Sequence, residues 1–427
     1  MSRTIDRYVP AEEYPQSCVW MAWPSSESIW GRSLLRKVQN DIAILIRTIA
    51  KYEDVSLLVD GGSNALQAND VIFGGKNPKK CKYVITLIEN IPLNDCWMRD
   101  IGPIFRIPTP LPMATSTTSS TTTASNTNAS DNATISNSVV VNTDTDTNRV
   151  ALDAIGLNFN GWGNKQKHQK DMKVAALIAK HMNIPFITSS STCNASSSSS
   201  SSSSANSSSR ACASLHGEGG GIEQDGAGTL YATDSCWVNN NRNPKMSRSQ
   251  IESELLSLYG CSKMLWLPGV KGGDITDDHI DGFLRVVRPG VLLLSNEEDS
   301  QSSPSCLCVP SENVNTSNRN ESNDSILELL TGQVDAQGNQ LEIHCIDAPR
   351  ASHCRIKDKS LLRSYLNYIV INGAVINVQF GDSHSDTAAE KKLKQLYPDR
   401  QIEMLPLDGL YRGGGGIHCV TQQQPLA

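Results

Sequence analysis

The chain has 427 residues, a formal charge of −6 and a sequence pI of about 5.8. It carries no basic run or patch, which argues against nucleic acid and anionic membranes as partners, and no apolar stretch reaches signal-peptide or transmembrane length. Its 12 cysteines show no repeated short spacing, so without a secretory signal the expectation is reduced thiols in a cytoplasmic protein.

Leu35, Val38, Ile42, Leu45 and Ile49 recur at three- and four-residue steps and predict an amphipathic helix. "DVSLLVD" and "KYVITLIEN" follow as apolar runs of strand length. Residues 108–149 are then almost all Ser, Thr, Asn and Asp. "DMKVAALIAKHMN" predicts a helix and "IPFITSS" a strand, before a serine-rich block at 188–213. "SQIESELLSLYG" predicts a helix with Ser249 as N-cap and Gly260 as C-cap. "GVLLLSN" reads as a strand, and 297–340 is again polar. "AVINVQF", "SDTAAEKKLKQLYP" and "QIEMLPL" close the series as strand, helix and strand.

Strands and helices alternate throughout, which indicates an α/β fold. The three polar blocks cannot bury enough apolar surface to offset their ordering entropy, so they are expected as disordered insertions between elements. Without them roughly 310–330 residues remain, enough for a single catalytic domain spanning 1–427.

Turn-dense stretches at the ends of predicted strands hold the reactive side chains, where a scaffold usually displays them. Cys419 follows four glycines in "GGGGIHC". A nucleophilic thiol needs a lowered pKa or a nearby base. His418 is adjacent but on extended backbone would point to the opposite face. His279 in "DITDDHID" is the better candidate, because on a strand it would share a face with Asp281. Asp277 in the same turn is a further carboxylate for a cationic substrate. "NDCWMRD" supplies Asp95 and Asp100 around Trp97. A carboxylate can grip a planar guanidinium through two parallel hydrogen bonds, and an indole face attracts cations. The same stretch also reads as an Arg99 salt bridge with Trp97 in the core. Glu218 precedes three glycines and could orient an imidazole. Alternatively, His216-x-Glu218 and His279-x-Asp281 could be ligands of a metal hydrolase, although the spacing matches no strong zinc signature.

Seven blocks taken together carry a more specific signal: "PAEEYPQSCVWMAWP", "NDCWMRDIGPIF", "LNFNGWG", "EGGGIEQDGAGTLYATDSCWVNNNRNP", "WLPGVKGGDITDDHIDGFLRVVRPG", "SYLNYIVINGAVINVQFGDSHSDTAAE" and "GGGGIHCVTQQQP". In this order the chain resembles the agmatine deiminase family, grouped with the bacterial-type peptidylarginine deiminases. The resemblance implies a five-fold pseudosymmetric α/β propeller (pentein-like) with a central site and no metal or other cofactor. It implies Cys419 as nucleophile, His279 as acid and base, Glu218 as its partner, and Asp100 with Asp281 as the guanidinium clamp. Asp95, Trp97 and Asp277 remain as further substrate-binding candidates. The implied reaction turns agmatine, a small cationic guanidino substrate, into N-carbamoylputrescine and ammonia, a step toward putrescine. The protein could also form a homo-oligomer. Rival readings are another guanidino substrate such as peptidylarginine, the metal hydrolase, and a non-catalytic binding protein of the same fold. The resemblance places Cys419 at the end of a strand, with the glycines letting the backbone wrap closely around the substrate. Two departures stand out: Gly416 and Asp278 occupy positions where many relatives carry Asn and Gly. Asp278 thereby adds a carboxylate next to His279.

Overall fold

The computed structural model describes residues 6–74, 82–109, 152–189, 214–296, 326–358 and 361–427. Of the three polar blocks, 110–149, 190–213 and 297–325 lie outside these residues, so the expectation of disorder there falls outside the described structure.

Seventeen strands in the described residues group into five small sheets. All five repeat one unit: a first strand antiparallel to a middle strand, and a last strand parallel to the middle one. The first unit is made of β17 (Thr421–Pro425), β2 (Gln16–Ala22) and β3 (Asp54–Leu58), and β4 (Ile85–Ile88) extends it. The second comprises β5 (Ile104–Pro108), β6 (Asp153–Gly156) and β7 (Phe186–Thr188), with β1 (Arg7–Tyr8) paired to β5. The third is β8 (Ile222–Gln224), β9 (Thr229–Thr233) and β10 (Lys263–Leu267). The fourth is β11 (Leu284–Arg288), β12 (Val291–Asn296) and β13 (Glu342–Asp347). The fifth is β14 (Ile369–Ile371), β15 (Ala374–Val378) and β16 (Gln401–Leu405).

Parallel neighbours cannot be joined by a tight hairpin; each pair needs a crossover, usually a helix. The chain provides one every time: α1 (Arg32–Ile49), α2 (Gly62–Phe73), α3 (Val174–His181), α4 (Arg248–Tyr259), α5 (Ile326–Leu330) and α6 (Ser383–Leu396). In α1 the stripe Leu35, Val38, Ile42, Leu45 and Ile49 is buried as its period requires. α4 ends on Gly260 with φ 70°, a left-handed cap that glycine adopts without a Cβ penalty. Its N-cap is Ser247, not Ser249: Ser247 accepts from Gln250 N, and the Gln250 side chain returns the bond as a capping box.

α5 corrects the expectation that 297–340 is disordered along its whole length. Ile326 and Leu330 stand four apart, share a helix face and are both buried. This short helix lies within the crossover that the parallel pair β12–β13 requires.

Burial falls across each unit. Middle strands β6, β9 and β15 are buried along their whole length, whereas last strands β7, β10 and β16 are mostly half-exposed. First strands β5 and β14 are almost wholly buried. The loops leading into the first strands are therefore the ones presented to the interior. No helix among the described residues is long and apolar enough to cross a membrane.

Candidate active site

Every one of these interior loops carries a reactive or polar side chain just ahead of its first strand. Asp100 sits in the helical turn Met98–Ile101 before β5. Glu218 precedes the turn Gly219–Gly221 that leads into β8. His279 and Asp281 flank Ile280 in the turn Ile280–Gly282 before β11. Asn367 stands two residues before β14, and Cys419 two before β17.

Gly220 marks where several of them meet. A Cβ at Gly220 would lie 2.7 Å from His279 Nδ1, 3.0 Å from Asp100 Oδ1 and 3.1 Å from Asp281 Oδ2. Only a glycine leaves room for the three to converge, and its own N–H donates to Asp100 Oδ1 at 3.0 Å. Trp162 Nε1 holds the other Asp100 oxygen at 2.9 Å. To reach it, Trp162 takes left-handed backbone with φ 53°, a strained choice for an aromatic residue.

His279 Nε2 faces Glu218 Oε2 at 3.3 Å, and its Nδ1 lies 3.9 Å from Asp100 Oδ1. Burial disfavours the imidazolium, but the Asp100, Cys236 and Glu218 groups outweigh it and raise the His279 pKa well above its ordinary value. Glu218 is fully buried, yet hydrogen bonding from His279 and the charge of Arg242 keep its carboxyl below the usual range. Arg242 Nε contacts both Glu218 oxygens, at 3.0 and 2.8 Å, and its Nη1 reaches Asp277 Oδ2 at 2.7 Å.

Cys419 Sγ lies 3.8 Å from Asp281 Oδ2 and 3.3 Å from Asn367 Nδ2. Burial, then Asp281 and Asp100, push its thiol pKa well up. Asp281 is itself held by His418, whose Nδ1 is 2.8 Å from Oδ2 and whose Nε2 is 3.0 Å from Glu12 Oε2. Both contacts are hydrogen bonds only when each ring nitrogen carries a hydrogen. Glu12 also pairs with Arg285 at 2.8 Å. Burial opposes ionisation of Glu12, but Arg285, His418 and Arg99 overcome it and hold the carboxyl far below its ordinary value. Burial likewise works against the Asp281 carboxylate, and His418 more than compensates, so its pKa is lowered.

The glycine run serves several packing needs. A Cβ on Gly413 or Gly415 would come within 2.3 Å of the Trp30 or Trp97 ring, and one on Gly416 within 2.4 Å of Asn367 Oδ1. Within the run only Gly414 needs a left-handed φ, 84°. Cys419 stands in the turn entering β17 and not at a strand end, and the glycines let the Trp30 and Trp97 rings and Asn367 close in on the run that precedes it.

Several expectations are corrected. His279 and Asp281 do not lie on a strand; a tight 3-10 turn brings both side chains to Gly220. Asp95 is not a free carboxylate for a substrate. Trp30 Nε1 (2.8 Å) and Cys96 N (2.9 Å) donate to its Oδ1, while Trp97 Nε1 (2.9 Å) and Gln166 Nε2 (3.0 Å) donate to its Oδ2. Trp97 is clasped between Gly415 and a tilted Trp30 with ring centroids 5.6 Å apart. Asp277 is likewise committed: Lys165 Nζ and Arg242 Nη1 each lie 2.7 Å from Oδ2, and Gly272 N donates to Oδ1. Asp278 turns its carboxylate to Val270 N and has φ 75°, in the left-handed region that favours glycine.

The metal alternative finds a different set of residues. His216 Nδ1 contacts Ser214 O at 2.9 Å. Among the described residues, Glu218, Cys236 and His279 bring ligand-type atoms within 4.8 Å of one another. Arg242 already bridges both Glu218 oxygens, so a fixed cation stands where a metal's charge would be neutralised. That donor set suits proton transfer better than metal binding. Sequence reasoning missed Glu12, Asn367 and Cys236, and it credited His418 with no role. Asn367 was detectable only by its place ahead of the fifth unit's first strand, and no sequence repeat exposes that place.

The comparisons agree with this architecture. A family model described as Porphyromonas-type peptidyl-arginine deiminase matches residues 8–425. Agmatine deiminase of Stutzerimonas stutzeri (strain A1501) is 28% identical over 439 residues, covering 98% of this chain and 95% of that protein. Agmatine deiminase of Pseudomonas fluorescens (strain SBW25) is 28% identical over 442 residues, with 98% and 95% covered. In fold, the chain is similar to the solved agmatine deiminase of Enterococcus faecalis, with a TM-score of 0.69, 21% identity and coverage of 98% and 96%. The match along nearly the whole chain places this protein in the Porphyromonas-type peptidyl-arginine deiminase family.

Proposed function

We propose that this protein is an agmatine deiminase, hydrolysing agmatine to N-carbamoylputrescine and ammonia through a covalent amidino-cysteine. The observation that carries the reading is the meeting of two carboxylates, an imidazole–carboxylate pair and a thiol at the ends of successive units. The names of the relatives above support agmatine as the substrate.

In this reading Asp100 and Asp281 clamp the guanidinium. Both raise the thiol's pKa, so a bound cation that neutralises them lowers it and makes the thiolate available. Sγ then attacks the guanidinium carbon. The C–N bond to the departing amino group breaks, His279 gives that group a proton, and ammonia leaves. The thiol's original proton goes to solvent, where the released ammonia becomes ammonium, and His279 is left neutral. Water next attacks the amidino carbon and His279, now neutral, takes its proton. The C–S bond breaks, the thiol is regenerated and the carbamoyl amine departs. Glu218 keeps the imidazole turned toward this work.

We also infer one catalytic domain in which the five units close into a five-fold pseudosymmetric ring. β17 supports this, because a strand from the C-terminus completes the unit begun at the N-terminus. Ammonia release from agmatine by the purified protein tests the function. Cys419→Ala should abolish it with the melting temperature retained, and rapid quench with mass spectrometry should find the adduct on Cys419. Turnover surviving in the alanine variant would remove Cys419 from the reaction.

A further inference from the structure

Four of the five units bring to the site a residue to which the reading above gives work: Asp100, Glu218, the His279–Asp281 pair and Cys419. The fifth unit's equivalent loop brings Asn367, which has none. Its side chain is buried, and its amide is oriented by the protein. His418 N (3.0 Å) and Cys419 N (3.4 Å) both donate to Oδ1. With Oδ1 so committed, the amide cannot flip; Cys419 Sγ lies 3.3 Å from Nδ2 and 3.4 Å from Oδ1, so the neutral thiol can donate to Oδ1 whereas a thiolate can only accept from Nδ2, which also reaches Asp281 O at 3.5 Å. The missing Cβ of Gly416 admits the amide to this place.

We propose that Asn367 is a catalytic residue of the fifth unit, whose Nδ2–H donates to the Cys419 thiolate and stabilises it against the Asp281 and Asp100 carboxylates. A donor aimed at an anion gives a charge-assisted bond, stronger than a bond to the neutral thiol, so it favours the reactive form. The bond also aims Sγ, since a thiolate held at one side presents its free lone pairs at the other. Asn367 is among the groups that lower the thiol's pKa, against the larger effects of burial and the two carboxylates. The inference rests on Cys419 being the nucleophile.

The test is a substrate-free titration: the rate of Cys419 alkylation by iodoacetamide as a function of pH, with the site read by mass spectrometry. Two variants separate the chemical role from a structural one. Asn367→Asp keeps the acceptor oxygen that ties down the two backbone N–H groups but replaces the donor with a negative oxygen. Asn367→Leu keeps the bulk and loses both. If Asn367 feeds the thiolate, both variants shift the titration upward by about one unit or more, a tenfold loss of thiolate at fixed pH, and Asn367→Asp shifts it further than Asn367→Leu. With agmatine, kcat falls in the same order. If Asn367 only holds the loop, Asn367→Leu lowers the melting temperature but leaves the titration where the wild type has it, so that any upward shift in Asn367→Asp comes from its added charge alone, and the proposal is overturned. Because the titration uses no agmatine, it decides this inference even where wild-type turnover of agmatine fails and the functional reading falls.

Discussion

The imidazole of His279 lies between Glu218 and Asp100, and that placement has a defined pH signature. Its pKa in the folded protein is raised, so the charged form contributes stability fully below the unfolded value and loses it as pH rises through the folded value. The first proton transfer needs that charged form, so activity should fall on the alkaline side where His279 deprotonates. Glu218→Gln removes one of the groups holding the proton. The alkaline limb of the kcat–pH profile should then move to lower pH, measurable with agmatine across the neutral-to-alkaline range. An unmoved limb would show that another group sets it. His279→Asn should lose roughly 10²–10⁴-fold in kcat, because both half-reactions move a proton through it. Gly220→Ala places a methyl group against His279, Asp100 and Asp281 at the separations given above. It should cut kcat/KM by about 10²-fold, since small misplacements of reacting groups cost that much. A circular-dichroism spectrum like that of the wild type would separate this from unfolding.

The short turns before the first strands do more to shape the site than the long helices. Met98–Ile101 carries Asp100 on its inner side and begins at Trp97, whose ring rests on Gly415. Gly415→Ala would push a methyl group into that ring, and overpacking of this kind costs about 1–3 kcal/mol. The melting temperature should fall, and kcat/KM should fall beyond what the lost folded fraction explains, because Asp100 moves with the turn. The helices were legible in advance for a simple reason. α1 and α4 show their faces through 3.6-residue spacing, which depends on neighbours in sequence. The N-cap of α4 was misread by two residues because Ser247 and Ser249 both fit before the apolar stripe. Only the backbone geometry shows which one accepts from the residue three positions on. The His279–Asp281 turn was misread as a strand because H-x-D spacing suits a shared strand face, while the 3-10 turn that replaces it has no period to detect.

Strand β5 pairs directly with β6, Ile104 opposite Ile155 and Phe105 opposite Ala154, so these two strands are neighbours in one sheet. Loop length adds little to the cost of closing such a connection. Replacing 112–146 with a short Gly/Ser linker should leave kcat/KM and melting temperature nearly unchanged; a large loss of either would give the segment a structural role. Substrate choice depends on the distribution of charge through the whole chain. A substrate carboxylate, as in free arginine, needs a cationic partner, yet Arg242 is paired with Glu218 and Asp277, Arg285 with Glu12 and Arg412 with Asp358. Burying that carboxylate unpaired costs several kcal/mol. Agmatine should therefore exceed free arginine by at least about 10²-fold in kcat/KM, and side-by-side kinetics with an arginine peptide as third substrate will show it. Comparable turnover of the peptide would shift the reading to peptidylarginine.

Composition and helical period indicated an alternating α/β chain with polar blocks, and local motifs with the family resemblance singled out Cys419, His279, Glu218, Asp100 and Asp281 as candidates. Those signals lie within short windows, where side-chain chemistry and spacing act directly. The chain's folding decided the rest. It closed the first unit with a C-terminal strand, and it brought Glu12 to His418 across 406 residues of separation. It set Asn367 against Cys419, and it spent Asp95 and Asp277 on protein donors in place of a ligand. A carboxylate's letter in the sequence does not say whether a buried donor has already claimed it. That is settled by which distant groups share its desolvated surroundings, where each polar atom must find a partner.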